Sequence, residues 1–204
     1  MINFLLAFIL SISCVVAADS EDIVETTNTR NSHITMLDLS NDESLTDISF
    51  VKYFPNLREL NLAGSYNISN LEQIGQFTRL EKLNISSIMI RDDIIYPEID
   101  FISSLVNLRE LDISGNQFLF KISPIAILPN LTALNLQCDQ EIRDWVSLSS
   151  LKSIRRLDLF CAESAVNKIN ASFLLSLTDL EELTINWEMQ IPELPPSIKI
   201  IVKE

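Results

Sequence analysis

The residues able to do chemistry are few, and they are not arranged to do it together. His33 is the single imidazole among 204 residues, so it has no partner for a zinc site and no context that marks it as a catalytic base. Three glycines leave no G-x-G-x-x-G and no G-x-x-x-x-G-K-[ST], which excludes the backbone cradles that hold nucleotide phosphates. The acids form no D-x-[DN]-x-[DN]-G loop for calcium. A formal charge of -13, from 28 acids and 15 bases, has the wrong sign for a nucleic-acid footprint. No catalytic residue, metal or cofactor is expected, and no nucleic-acid partner. The composition reads as an acidic binding protein rather than an enzyme, with 47% apolar residues to build a core.

The elements that must position the remaining candidates come from a repeat. The pattern apolar-x-x-apolar-x-apolar recurs at Ile34/Leu37/Leu39, Leu57/Leu60/Leu62, Leu80/Leu83/Ile85 and Leu108/Leu111/Ile113. It continues at Leu131/Leu134/Leu136, Ile154/Leu157/Leu159 and Leu180/Leu183/Ile185. Successive starts lie 23, 23, 28, 23, 23 and 26 residues apart, and four equal steps in six are not a chance outcome. Counting the first apolar residue as slot 1, slots 12, 15, 18 and 21 are also apolar, as in Leu119, Ile122, Ile125 and Leu128. A step of three predicts 3₁₀ turns or short helices with one face inward. Pro55-Asn56 and Pro129-Asn130 supply turn chemistry just before a new strand.

These L-x-x-L-x-L units resemble the leucine-rich repeat superfamily over about residues 34–202. The short arm is similar to that of phosphatase-regulatory subunits and bacterial internalins. The resemblance implies an α/β fold, a right-handed solenoid. A parallel sheet of about seven strands would line its concave face, and 3₁₀ or short helical arms its convex side. It implies protein recognition without catalysis. The slot that relatives fill with Asn reads Asp42, Ser65, Ile88, Asn116, Asp139, Ala162 and Glu188, so the asparagine ladder is mostly missing and the turns must be held otherwise. The stretch from Ile191 to Ile198, rich in proline, is expected to make a short last turn over the core. Residues 34–204 then form the repeat domain with its C-terminal cap, and residues 19–33 an acidic N-terminal segment.

In register, slots 2, 3, 5 and 7 reach the concave surface. Slots 2 and 3 alternate in sign, which sets Arg58 beside Glu81, Glu59 beside Lys82 and Arg156 beside Glu182. Cross-strand pairs of this kind contribute only about 0.2–1 kcal/mol each. Slot 5 (Asp38, Asn61, Asn84, Asp112, Asn135, Asp158, Thr184) reads as solvated. Thr132, Ala133, Asn135 and Gln137 interrupt the charge, and Phe160 and Trp187 follow in slots 7 and 8. Ala133, Asn135, Gln137, Phe160 and Trp187 are therefore the candidate partner-binding residues, because aromatics beside an uncharged strip desolvate easily. The other reading of Trp187 is a cap folded over the end of the core. Trp145, in slot 15, is packing. Acids gather where strands turn into the arm (Asp42, Glu43, Asp47, Asp92, Asp93, Asp139, Glu141, Asp144, Glu163), as a rim that steers a basic partner or simply confers solubility.

Cys138 and Cys161 fall 23 residues apart in slot 8 of adjacent repeats. Equivalent atoms on neighbouring strands lie about 4.8 Å apart, inside the disulfide window, so an oxidising compartment would join them. The other reading is two small, half-buried side chains in a slot shared with Gly64, Ser87 and Gly115. Sequons occur at Asn67, Asn84, Asn130 and Asn170; all but the mid-strand Asn84 are expected glycan sites in a eukaryotic secretory route.

Residues 1–18 have the layout of a signal peptide. They carry no charged side chain, hold the apolar run Phe4–Leu10, and end in small residues before the acids Asp19, Glu21 and Asp22. Cys14 would leave with it. The expected location is secreted, with a membrane tether through an uncleaved signal anchor as the alternative. The expected function is binding of a protein partner through the concave face or acidic rim, with an intracellular regulatory scaffold as the alternative.

Overall fold

A computed structural model of the chain describes residues 31–88, 99–116, 119–137, 142–160 and 170–203. The signal segment, most of the 19–33 segment, Cys138, Cys161 and the rim acids Asp92, Asp93, Asp139, Glu141 and Glu163 lie outside the described residues. So the expected Cys138–Cys161 disulfide lies outside the description of the fold.

The repeats fold into one sheet whose strands are β1 (Met36–Asp38), β2 (Glu59–Asn61), β3 (Lys82–Asn84), β4 (Glu110–Asp112), β5 (Ala133–Asn135), β6 (Arg156–Asp158), β7 (Glu182–Asn186) and β8 (Lys199–Lys203). All neighbours pair in parallel and in chain order. The expected sheet of about seven parallel strands is present, with eight among the described residues. The strand beyond the seven repeats is Lys199–Lys203, a β-branched run that carries no repeat pattern.

Each inner strand is short because slots 4 and 6 must turn inward while the chain bends into the arm. Backbone pairing nevertheless runs past the strand: Leu39, Leu62, Ile85, Ile113, Leu136 and Leu159 donate their N–H to the slot-5 carbonyl of the next strand at 2.8–3.1 Å. Leu37, Leu60, Leu83, Leu111, Leu134, Leu157 and Leu183 at slot 4 are all buried. The arm behaves as its three-residue step predicts. Short 3₁₀ helices lie at Ser49–Tyr53, Leu71–Gln76, Asp100–Ser104, Trp145–Ser150 and Ala171–Ser176. Their inward residues, among them Val51, Ile74, Ile102 and Leu148, stack repeat on repeat into one cluster with the strand leucines. Trp145 is buried and stacks on Phe173 of the next arm, with centroids 6.3 Å apart.

Slot 8 is where the chain leaves the sheet, and there the backbone turns left-handed: φ is 55° at Asn41, 71° at Gly64, 53° at Ser87 and 71° at Gly115. Successive slot-8 residues nearly touch. A Cβ on Gly64 would lie 2.6 Å from the Asn41 side-chain oxygen, and one on Gly115 2.7 Å from the Ser87 hydroxyl. Crowding together with positive φ explains the preference for small residues. At Trp187 the pattern ends, because β7 runs five residues to pair with β8.

Side chains hold the turns where the asparagine ladder fails. Fully buried Ser65 donates to the Leu39 carbonyl at 2.7 Å and accepts from the Asp42 N–H at 3.0 Å, doing for its turn what Asn116 does for another. On the arm, a second set sits in slot 14. Asn70 accepts from the Ile48 N–H at 3.1 Å, and Asp144 from the N–H groups of Ile122 and Ser123 at 2.9 and 3.0 Å. The sequence carried this signal, since Asp47, Asn70 and Asp144 recur in one register.

Candidate functional site

The open face of the sheet presents slots 3 and 5 of every strand along a groove of about 520 Å³ that runs from Met36 to Thr184. Its polar columns are organised by contacts within the chain. In slot 2, Arg58 is in close contact with Glu81, which Arg109 also approaches at 3.9 Å, and Arg155 binds Glu181 at 2.9 Å. In slot 3, Lys82 lies between Glu59 at 3.8 Å and Glu110 at 3.9 Å. The expected Arg156–Glu182 pair is corrected. Ala133 leaves room on the strand between, so Arg156 reaches over it to Glu110 at 3.5 Å, and Lys199 of β8 takes Glu182 at 2.8 Å.

The solvated reading of slot 5 is also corrected. Asp38, Asn61, Asn84, Asp112, Asn135 and Asp158 each accept the N–H two residues on, at 2.9–3.1 Å. These Asx turns satisfy the slot-7 donors and end each strand. Asn61 and Asn135 also donate across the sheet, each to the aspartate of the preceding strand at 3.0 Å. Hydrogen bonds from the Ser40 hydroxyl, the Ser40 N–H and Asn61 hold the Asp38 carboxyl below its ordinary value of 3.8, against a small opposing effect of burial.

The candidate binding residues are distributed over β5, β6 and β7 and the segments that follow them. Ala133 and Asn135 lie in β5, half-buried, and Gln137 donates to Asp158 of the next strand at 2.8 Å. Phe160 follows β6 and is half-buried, because Lys203 of β8 lies 5.2 Å from its ring centroid and 3.5 Å from Asp158. Sequence reasoning missed this cover, since it assigned no strand beyond Leu180–Ile185. Trp187, at the end of β7, is 68% exposed. The end of the core is covered instead by Ile191, Leu194 and Ile198, so Trp187 does not serve as its lid. Ile200 and Val202 of β8, opposite Leu183 and Ile185 in the register, are 42% and 56% exposed.

His33 is exposed and lies far from these residues in the strand order, before β1. Of the sequon residues, Asn67 and Asn130 donate their carboxamides to the carbonyls of Glu43 and Val106 at 2.7 and 2.9 Å. Asn170 is exposed and uses its oxygen to cap the Ser172 N–H at 3.1 Å. Among the described residues no helix is long and apolar enough to cross a membrane.

A one-stranded-per-repeat parallel sheet backed by stacked 3₁₀ arms defines the class: the chain has the leucine-rich-repeat fold. Solved structures place it beside internalin C2 of Listeria monocytogenes, with a TM-score of 0.67 and 20% identity over 87% of this chain and 76% of that one. A second internalin of the same organism, inlF, aligns with a TM-score of 0.57 and 16% identity over 96% of this chain and 62% of its own. TLR13, in its complex with ssRNA13, aligns with a TM-score of 0.62 and 22% identity, over 78% of this chain and 23% of that one. No family model and no curated protein matches the sequence itself.

Proposed function

We propose that the chain is a non-catalytic protein-recognition module that holds a protein partner over β5 to β8 and the rim where those strands end. The observation that carries this reading is Trp187, an indole left 68% exposed at the end of β7. Large exposed aromatics in such settings become anchors, with truncation costs of about 2 kcal/mol or more, roughly a 30-fold loss of affinity. Ala133 and Asn135 in β5, Gln137 after it and Phe160 after β6 add a strip that carries no net charge of its own. The leucine-rich-repeat fold of the internalins and TLR13 supports the reading as analogy of architecture.

Export belongs to the same proposal and rests on the uncharged, apolar residues 1–18, with residues 19–33 an acidic segment ahead of the repeat domain. On this reading Cys138 and Cys161 form a disulfide, and Asn67, Asn130 and Asn170 carry glycans where the host attaches them. N-terminal sequencing of the native protein should find a start near Asp19; a start at Met1 contradicts cleavage and release. For binding, the immobilised mature chain is exposed to the native medium alongside Trp187→Ala, Phe160→Ala and Val146→Ala, the last being an exposed residue on the arm. A partner retained by the wild type and Val146→Ala but lost by the other two supports the site. Equal retention by all four refutes it.

A further inference from the structure

At the opposite, N-terminal half of the sheet, the residue just before slot 1 forms a column of its own. Asn56, Asn107 and Asn130 donate their carboxamides to the carbonyls of Ser32, Thr78 and Val106 at 2.7–2.9 Å, and Ser153 donates to that of Pro129 at 3.1 Å. Each bond ties a loop to the loop before it. Arg79 breaks the column. Its guanidinium donates at 2.6 Å to the side-chain oxygen of Asn56, a neutral group that leaves the positive charge uncompensated.

Two more arginines stand beside it. Arg58 and Arg109 flank Arg79 and share the single carboxylate of Glu81. Arg58, Arg79, Glu81, Asn107 and Arg109 together line a shallow cavity of about 270 Å³. Three guanidinium groups against one carboxylate leave a formal surplus of two positive charges, in a chain whose overall charge is -13. The acids of the adjoining row do not cancel it, because Glu59 and Glu110 are engaged by Lys82, and Glu110 also by Arg156.

We propose that this cavity binds a dianionic tetrahedral oxyanion, a phosphate or a sulfate. The surplus charge matches a dianion, and guanidinium forks present paired N–H donors at the spacing of such oxygens. Arg79 also borders a neighbouring cavity of about 210 Å³ with Lys52, Pro55 and Phe77, which gives room for the organic part of an ester. The site lies just before β2, β3 and β4 and does not depend on the partner surface of β5 to β8.

The test is calorimetric titration of the full chain with sodium phosphate and sodium sulfate at fixed ionic strength, with sodium chloride as control. Saturable binding is expected for the dianions and not for chloride. Arg79→Asn restores the residue type of the column, so the fold is kept while the charge is lost; it should weaken phosphate binding about tenfold, the loss of one charge-assisted hydrogen bond. Glu81→Gln, which removes the competing carboxylate, should tighten it. Phenyl phosphate binding as tightly as inorganic phosphate assigns an esterified source, and binding of inorganic phosphate alone assigns the free ion. Phosphate acting no differently from chloride, or an affinity unchanged in Arg79→Asn, overturns the proposal.

Discussion

Asn116 offers the sharpest test of how the solenoid is held together. It is fully buried between the third and fourth repeats, where its oxygen accepts from the Ile88 N–H at 3.0 Å and its nitrogen donates to the carbonyls of Ile85 and Ile113 at 3.0 and 2.5 Å. Asn116→Ala strands one buried N–H and deprives two carbonyls. Each stranded group costs about 1–3 kcal/mol, with carbonyls at the lower end, so the substitution should cost roughly 3–5 kcal/mol. Ser65→Ala, which removes two bonds, should cost about 1–3 kcal/mol. Asn130→Ala, with one bond at an exposed site, should cost about 1 kcal/mol or less. Urea unfolding reads these as shifts in midpoint at constant slope. Repeats couple only to their neighbours, so a severe weakening at Asn116 should also split the transition into two. If Asn116→Ala costs no more than Asn130→Ala, the turns are held by backbone pairing and the argument from buried side-chain bonds fails.

The remaining predictions concern the arm, the cysteines and acid. Asp144→Ala should destabilise by about 2–4 kcal/mol, because two half-buried N–H groups lose a charged acceptor, whereas Asp144→Asn should keep one bond and cost roughly half as much by the same urea measurement. Non-reducing peptide mapping of secreted material should find Cys138 joined to Cys161, and reduction should lower stability by roughly 3 kcal/mol; two free thiols would refute the pairing. Asp38 and Asp47 both have carboxyls held below the ordinary 3.8, Asp38 first by the Ser40 hydroxyl and Asp47 first by the Ser49 N–H. Their contribution is present above that value and lost as pH falls through the lower folded value. Thermal melting below pH 4 should therefore be less pH-dependent in Asp38→Asn/Asp47→Asn, by a small amount because both side chains are exposed.

Much of the architecture was legible because a repeat announces itself. Slot 4 and slot 6 leucines, the three-residue step of the arm and the core place of Trp145 all follow from spacing, since a residue's burial depends on its own repeat and the next. Contacts that cross repeats were harder to read. Slot 5 looked solvated because its residues are polar, yet their oxygens terminate the strands. Arg156 does lie opposite Glu182 in the register, but a small residue at Ala133 lets its long side chain pair with Glu110 on the far side.

By itself the sequence determined the fold class, the register and the face on which each side chain lies, because a period of about 23 residues leaves few ways to bury the leucines. Tertiary structure alone decided what happens where the period breaks. β8 has no repeat to mark it, and it takes Glu182 and brings Lys203 over Phe160. The longer β7 then leaves Trp187 exposed rather than packed. Arg79, one polar residue among many in the sequence, became exceptional only when the column of amides around it could be seen. Periodicity fixes what each repeat shares with the others; the sites arise where one repeat departs from them, and that depends on which side chains meet across the stack.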